Sequence, residues 1–243
     1  MKFEADSIQG VLFVATGQHQ EDALQLWGSL FPDDAPDGFQ RAVSSPSLLS
    51  TAQGDRDGLL TIIKAQVGRI DISVVQSPPE GASDLVGPPR IADIAGGAAK
   101  VSELVKRIAG RSKVFRAAVV LDLAKTVEAG AEAAEILKCV PDFPFPNNAI
   151  DVSLQFNSRK NFEFSSDFEM NRLCAWNAGQ VGFIQGPDAQ PQAMVMTPYV
   201  GFRIDVNSAP QVPLPFDAID QAIDDLVAEA LAIADAGVNR FLS

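Results

Sequence analysis

Hydrophobic positions along this chain switch between helical and strand periods. Ile8 to Thr16 holds the unbroken apolar run Val11-Leu12-Phe13-Val14-Ala15, the pattern of a strand covered on both faces, and Gly17 closes it. Ala23, Leu26, Trp27 and Leu30 then recur at helical spacing over Gln18 to Phe31, with Glu21 and Asp22 in the first turn and Pro32 as the stop. Beyond the turn chemistry of Pro36-Asp37-Gly38, strand patterning occupies Ala42 to Gln53, Leu59 to Gln66 and Arg69 to Gln76. In the last of these, Ile70, Ile72 and Val74 alternate with Arg69, Asp71 and Ser73. Ser77 to Pro89, rich in Pro, Gly and Ser, reads as an irregular loop. Ile91 to Gly110 follows as a helix carried by Val101, Leu104, Val105 and Ile108.

The same succession then returns. Phe115 to Leu123 repeats the buried-strand run as Ala117-Ala118-Val119-Val120-Leu121, and Ala131 to Val140 is a short helix ending at Pro141-Asp142, as the first helix ends at Pro32-Asp33. Ile150, Val152, Leu154 and Phe156 alternate with Asp151, Ser153, Gln155 and Asn157. Met170 to Trp176 and Gln180 to Gln185 read as a hairpin around Asn177-Ala178-Gly179, and Ala193 to Asn207 supplies the last strands, broken at Pro198. After a connector stiffened by Pro210, Pro213 and Pro215, Phe216 to Ala236 is a helix. Its apolar stripe is Ile219, Ile223, Leu226, Ala230 and Ile233; Asp217, Asp220, Asp224, Asp225, Glu229 and Asp235 form a polar side read as solvated.

One short match ties the two halves together. Val67-Gly68-Arg69-Ile70-Asp71-Ile72 resembles Val200-Gly201-Phe202-Arg203-Ile204-Asp205-Val206, and each follows a Gly-bearing turn, Gln53-Gly54-Asp55 and Gln185-Gly186-Pro187-Asp188 respectively. The expected fold is therefore α+β, a tandem duplication of a β-α-β-β-β-α unit, with a mixed or antiparallel sheet and helices packed on one face. The copies span 1–112 and 113–243, packed as one globular unit. Only the second carries an inserted polar loop, at 158–169.

Composition narrows the function. With 47% hydrophobic and 21% charged residues the chain can bury a core, and a net charge of −12 disfavours nucleic acid, whose binding needs a basic patch. The first 112 residues hold 10 basic and 14 acidic side chains and the remainder 9 and 17, so the second half is the more acidic. Acids at positions 4 and 6 and a short apolar run argue against a signal peptide or a membrane span. A soluble cytoplasmic protein is expected, of bacterial type from its Ala-rich, Cys-poor composition. Cys139 and Cys174 lack metal-ligand spacing and read as buried thiols, and no cofactor is expected.

Candidate chemistry is sparse. The repeated Arg-Ile-Asp places Arg69 with Asp71, and Arg203 with Asp205, on one side of a strand, as ion pairs of a solvated sheet or as a grip on an anion. His19, the sole histidine, stands among acids at a helix start without a partner nucleophile. Gly54-Asp55-Arg56-Asp57-Gly58 lies between strands and lacks the helix start that a phosphate loop requires. Asn157, Arg159, Asn171, Arg172 and Trp176 crowd around the loop that only the second half carries, where amides, guanidinium forks and an indole could line a polar pocket. The function expected is a non-enzymatic binding or protein-interaction module, for a protein partner or a small polar or anionic ligand. The alternative is a small-molecule hydrolase or transferase with its site in the second copy.

Overall fold

The computed structural model describes residues 3–15, 21–42, 48–78, 89–140, 152–184, 194–210 and 212–242. In chain order the strands and helices are β1 (Glu4–Val14), α1 (Ala23–Leu30), β2 (Gly38–Arg41), β3 (Leu48–Arg56), β4 (Leu59–Gln66), β5 (Arg69–Gln76) and α2 (Ile94–Ala109). Then come β6 (Val114–Thr126), α3 (Glu132–Cys139), β7 (Ser153–Asn161), β8 (Glu169–Ile184), β9 (Met194–Ser208), α4 (Ile219–Ala236) and α5 (Asn239–Leu242). All nine strands join one sheet in the order β2-β3-β4-β5-β1-β6-β9-β8-β7. Every named pairing is antiparallel. The apolar-run strands β1 and β6 pair with each other at the centre.

Alternation sets which side of each strand meets the helices. Ile8, Leu12, Ile70, Ile72, Leu121, Phe202 and Ile204 face the helical layer and belong to one core with Leu104, Ile108, Ile223 and Leu226. Helix α2 packs on β1 and β5, α4 on β6 and β9, α1 on β3 and β4, and α3 on β8 and β9, while α2 also meets α4. The helices thus form a single layer on one face. Full burial of each large aliphatic side chain contributes roughly 1.5–3 kcal/mol. No helix among the described residues is long and apolar enough to cross a membrane.

Local chemistry moves several boundaries from their expected places. Helix α1 starts at Ala23 because Asp22 caps it: its carboxylate accepts from Gln25 N at 3.0 Å, and Gln25 Oε1 accepts from Asp22 N at 2.9 Å. Helix α2 starts at Ile94 for the same reason, since Asp93 accepts from Gly96 N. Gln53-Gly54-Asp55 is not a turn but part of β3. Gly54 is there because a Cβ would stand 2.9 Å from Trp27 Cη2, and the reversal falls at Asp57-Gly58, with φ 58° and 77°.

Two further expectations give way in the second half. Asn177-Ala178-Gly179 does not turn, because β8 runs through it while paired with Tyr199, Val200 and Gly201 of β9. Pro198 does not break β9. Its carbonyl accepts from Val127 N at 3.1 Å, so its nitrogen faces the side where β6 has ended and no ladder donor is lost to β8. The segment 158–169 is not a loop throughout. Ser158 to Asn161 complete β7, Glu169 opens β8, and the linking residues bring the Phe162, Phe164 and Phe168 rings together, centroids 5.1 and 5.8 Å apart. His19, most of Ala42 to Leu48 and Gln185-Gly186-Pro187-Asp188 lie outside the described residues.

Candidate functional site

The five side chains singled out around the second half's loop divide between the two faces of the sheet. Arg159 opposes Asn171 across β7 and β8, and Ser158 opposes Arg172, so the adjacent Asn171 and Arg172 point to opposite sides. Asn157, Arg159 and Asn171 share the face away from the helices, where Arg159 pairs with Glu169 at 3.1 Å in an exposed position. Arg172 and Trp176 face the helices and are buried. No single pocket takes all five.

The Arg-Ile-Asp repeats use their charges on the sheet itself. Arg69 Nη2 lies 2.6 Å from Asp71, whose carboxylate also accepts from Gln9 at 2.8 Å and Gln66 at 3.1 Å. Arg203 turns from Asp205 to Asp122 of β6, at 2.7 Å, and Asp205 accepts from Asn207 instead, at 2.9 Å. Arg203 makes the cross-strand pair expected of a solvated sheet, whereas Arg69 pairs within its own strand.

Glu229, which the helical period places with the polar side of α4, is only 3% exposed in the fold. Three cations converge on its carboxylate: Arg172 of β8 at 2.9 Å, Lys160 of β7 at 3.0 Å and Arg240 of α5 at 2.7 Å. Burial acts to raise its pKa, but the hydrogen bonds from Arg240, Arg172 and Lys160 outweigh burial and hold it at about 2. Arg172 is further fixed by Ser158 Oγ at 3.1 Å and by stacking over the Phe241 ring at 5.0 Å. Every member has protein partners, so the cluster is a clasp joining α4 and α5 to the β7–β8 edge. Asp224 and Asp225 are engaged as well, with Lys106 of α2 and with Glu163 N at 2.9 Å.

A cleft lies between the start of α2 and the second half of α4. Phe3, Ile94 and Ala95 of the α2 start, and Leu231 and Ala234 of α4, line an apolar cleft of about 340 Å³. Phe3, Ala234 and Asp235 also line a second depression of about 170 Å³, together with Cys139, Trp176 and Phe202. Phe3 packs on Phe202 at 5.6 Å, and Phe202 stacks on Trp176 at 4.4 Å with an interplanar angle of 11°, so the three rings form an aromatic row beside it. Trp176 is fully buried, and its Nε1 finds no hydrogen-bond partner among the described residues. At the rim Lys138 is bound to Glu135, and Asp235 also lines the depression. Apart from Trp176 these residues escape the sequence reading, yet one signal was present: Val227, Leu231 and Ala234 form a second apolar row on α4, beside the stripe that faces the sheet.

Both cysteine thiols are held protonated. Desolvation raises Cys139, with the Glu135 carboxylate adding to it, and desolvation pushes Cys174 up to about 12. Neither cysteine is in a disulfide. No group of His, Cys, Asp and Glu suited to a metal ion occurs among the described residues. Comparison with protein-family models, curated proteins and solved structures finds no match to this chain.

Proposed function

We propose that this protein is a non-enzymatic binding module whose recognition site is the cleft between the start of α2 and the end of α4. The observation that carries the reading is an unfilled apolar cleft of about 340 Å³ beside a fully buried aromatic row, the combination that favours a small, mostly apolar ligand. Both cysteine thiols are held protonated and lack the nucleophilic form that a covalent thiol-dependent hydrolase or transferase would need. We propose further that the binding scaffold is a duplicated β-α-β-β-β-α unit, divided near residue 112. In support, β1 and β6 meet at the sheet centre, and β5 and β9, which carry the two Arg-Ile-Asp tripeptides, flank them on either side.

Titration with ethylbenzene, followed in two-dimensional amide spectra, tests the site. Saturable shifts should gather on Phe3, Ile94, Ala95, Leu231 and Ala234. Ala95→Trp, a substitution at an exposed rim position, should fill the cleft and abolish them. Shifts that never saturate, or that concentrate on the sheet face carrying Asn157 and Arg159, would overturn the proposal.

A further inference from the structure

The two edges of the sheet are finished differently. At one edge β2 is four residues long, whereas at the other β7 is nine residues with no proline and no shift of register against β8. An open edge offers its N–H and C=O groups to any extended chain, and proteins guard such edges with short strands, prolines, bulges or charges. The only charges on β7 are Arg159 and Lys160, near its C-terminal end, and the chain's own acids neutralise them. Arg159 pairs with Glu169 at 3.1 Å and Lys160 with Glu229 at 3.0 Å.

The ladder shows which backbone groups face outward. Ala178 N donates to Val152 O just before β7, and Phe162 N donates to Phe168 O just after it, so the even-numbered residues of β7 bond to β8. The backbone groups of Ser153, Gln155, Asn157, Arg159 and Asn161 then point away from β8. No strand pairs with β7 on that side among the described residues, and all of these odd-numbered residues are exposed.

These positions are symmetric about Asn157. We infer that β7 is the docking edge for a second copy of this chain, which lays its own β7 antiparallel across a two-fold axis at Asn157 and extends the sheet. In that register Ser153 faces the partner's Asn161, Gln155 faces the partner's Arg159, and Asn157 faces the partner's Asn157. The outward groups are then all used, in about ten backbone hydrogen bonds, two for each opposed pair. Moving the axis by one residue leaves Ser153 or Asn161 with nothing opposite it in the strand. No like charges meet, since Lys160 faces the partner's Leu154, and the half-buried Phe156 rings become diagonal neighbours within reach of each other. An unrelated extended peptide would satisfy the backbone equally; the self-complementarity of the whole strand is what selects a second copy. None of the β7 residues lines the cleft between α2 and α4, so this inference stands apart from the binding reading above.

Sedimentation equilibrium of the full chain tests it. The unaltered protein should sediment with twice the chain mass in the micromolar range. Asn157→Lys sets two like charges face to face on the axis and should weaken the dimer about tenfold, as should Asn157→Asp, while far-UV circular dichroism stays unchanged because the position is exposed. An equimolar mixture of the two variants should associate again, with native mass spectrometry showing mixed dimers above their statistical share. In the unaltered protein, the amides of Gln155, Asn157 and Arg159 should exchange more slowly as concentration rises. A monomer throughout the micromolar range, a dimer indifferent to Asn157→Lys, or no recovery in the mixture would overturn the inference. Slowing of those amides only when an unrelated extended peptide is added would overturn it as well, by giving the edge a different occupant.

Discussion

Glu229 shows how far one residue's environment can depart from what its sequence position suggests. Its pKa in the fold, about 2, is below the ordinary value of 4.5, so its stabilising contribution is fully present above pH 4.5 and is lost as pH falls toward and through 2. A shift of that size corresponds to roughly 3 kcal/mol at neutral pH. Glu229→Gln should therefore lower unfolding free energy by about that amount at pH 7, leaving Arg172 buried without its counter-charge. Chemical denaturation at a series of pH values provides the check. The gap between the two proteins should close as pH drops from 4.5 to 2, because protonated Glu and Gln are then alike; a gap that stays constant would mean the carboxylate's charge is not what the clasp depends on. Trp176 makes a related point, since its apolar body stacks in the core while its N–H has no protein acceptor among the described residues.

At the scale of an element, α4 separates what periodicity settles from what it leaves open. The stripe Ile219, Ile223, Leu226, Ala230 and Ile233 is buried as the spacing predicts. Ile223→Ala and Leu226→Ala should each cost about 2–5 kcal/mol, as expected for truncation in a packed core. Asp224 holds Lys106 at an exposed position, so Asp224→Ala should cost under about 1 kcal/mol. Equal, small effects of all three in urea melts would show that α4 does not pack through this stripe. Strand boundaries were less legible. The Asn-Ala-Gly of β8 and the Pro of β9 are turn and breaker signals in isolation, but partners on both sides of the ladder, or the end of a neighbouring strand, override them.

At the scale of the whole molecule, the pairing of β1 with β6 joins the two halves at the centre of the sheet. A seam of this kind should make unfolding a single cooperative event. Trp27 lies in the first half and Trp176 in the second, and both are fully buried, so each can report on its own half. In Trp27→Phe and in Trp176→Phe, tryptophan fluorescence and far-UV circular dichroism should trace coincident denaturant transitions. Separation of the two signals in either variant would mean that the halves unfold independently, and the central seam contributes little.

The sequence by itself determined the elements that rest on local physics. Period-2 and period-3.6 patterning marks strands and helices wherever one face is apolar, and the apolar runs at Val11 and Val119 locate the two central strands. It also determined the α+β class, because those patterns alternate in a way that only helices on a sheet can bury. What tertiary structure decided is which side chains meet. Asn171 and Arg172 are neighbours in the chain but stand on opposite faces, because successive side chains of a strand point to alternate sides of the sheet. Glu229 reads as solvated until β7, β8 and α5 surround it. Phe3, Ile94 and Leu231 are far apart in sequence, and only the packing of α2 against α4 makes them line one cleft. A pattern specifies the face a residue takes within its own element; the arrangement of separate elements decides what lies opposite that face.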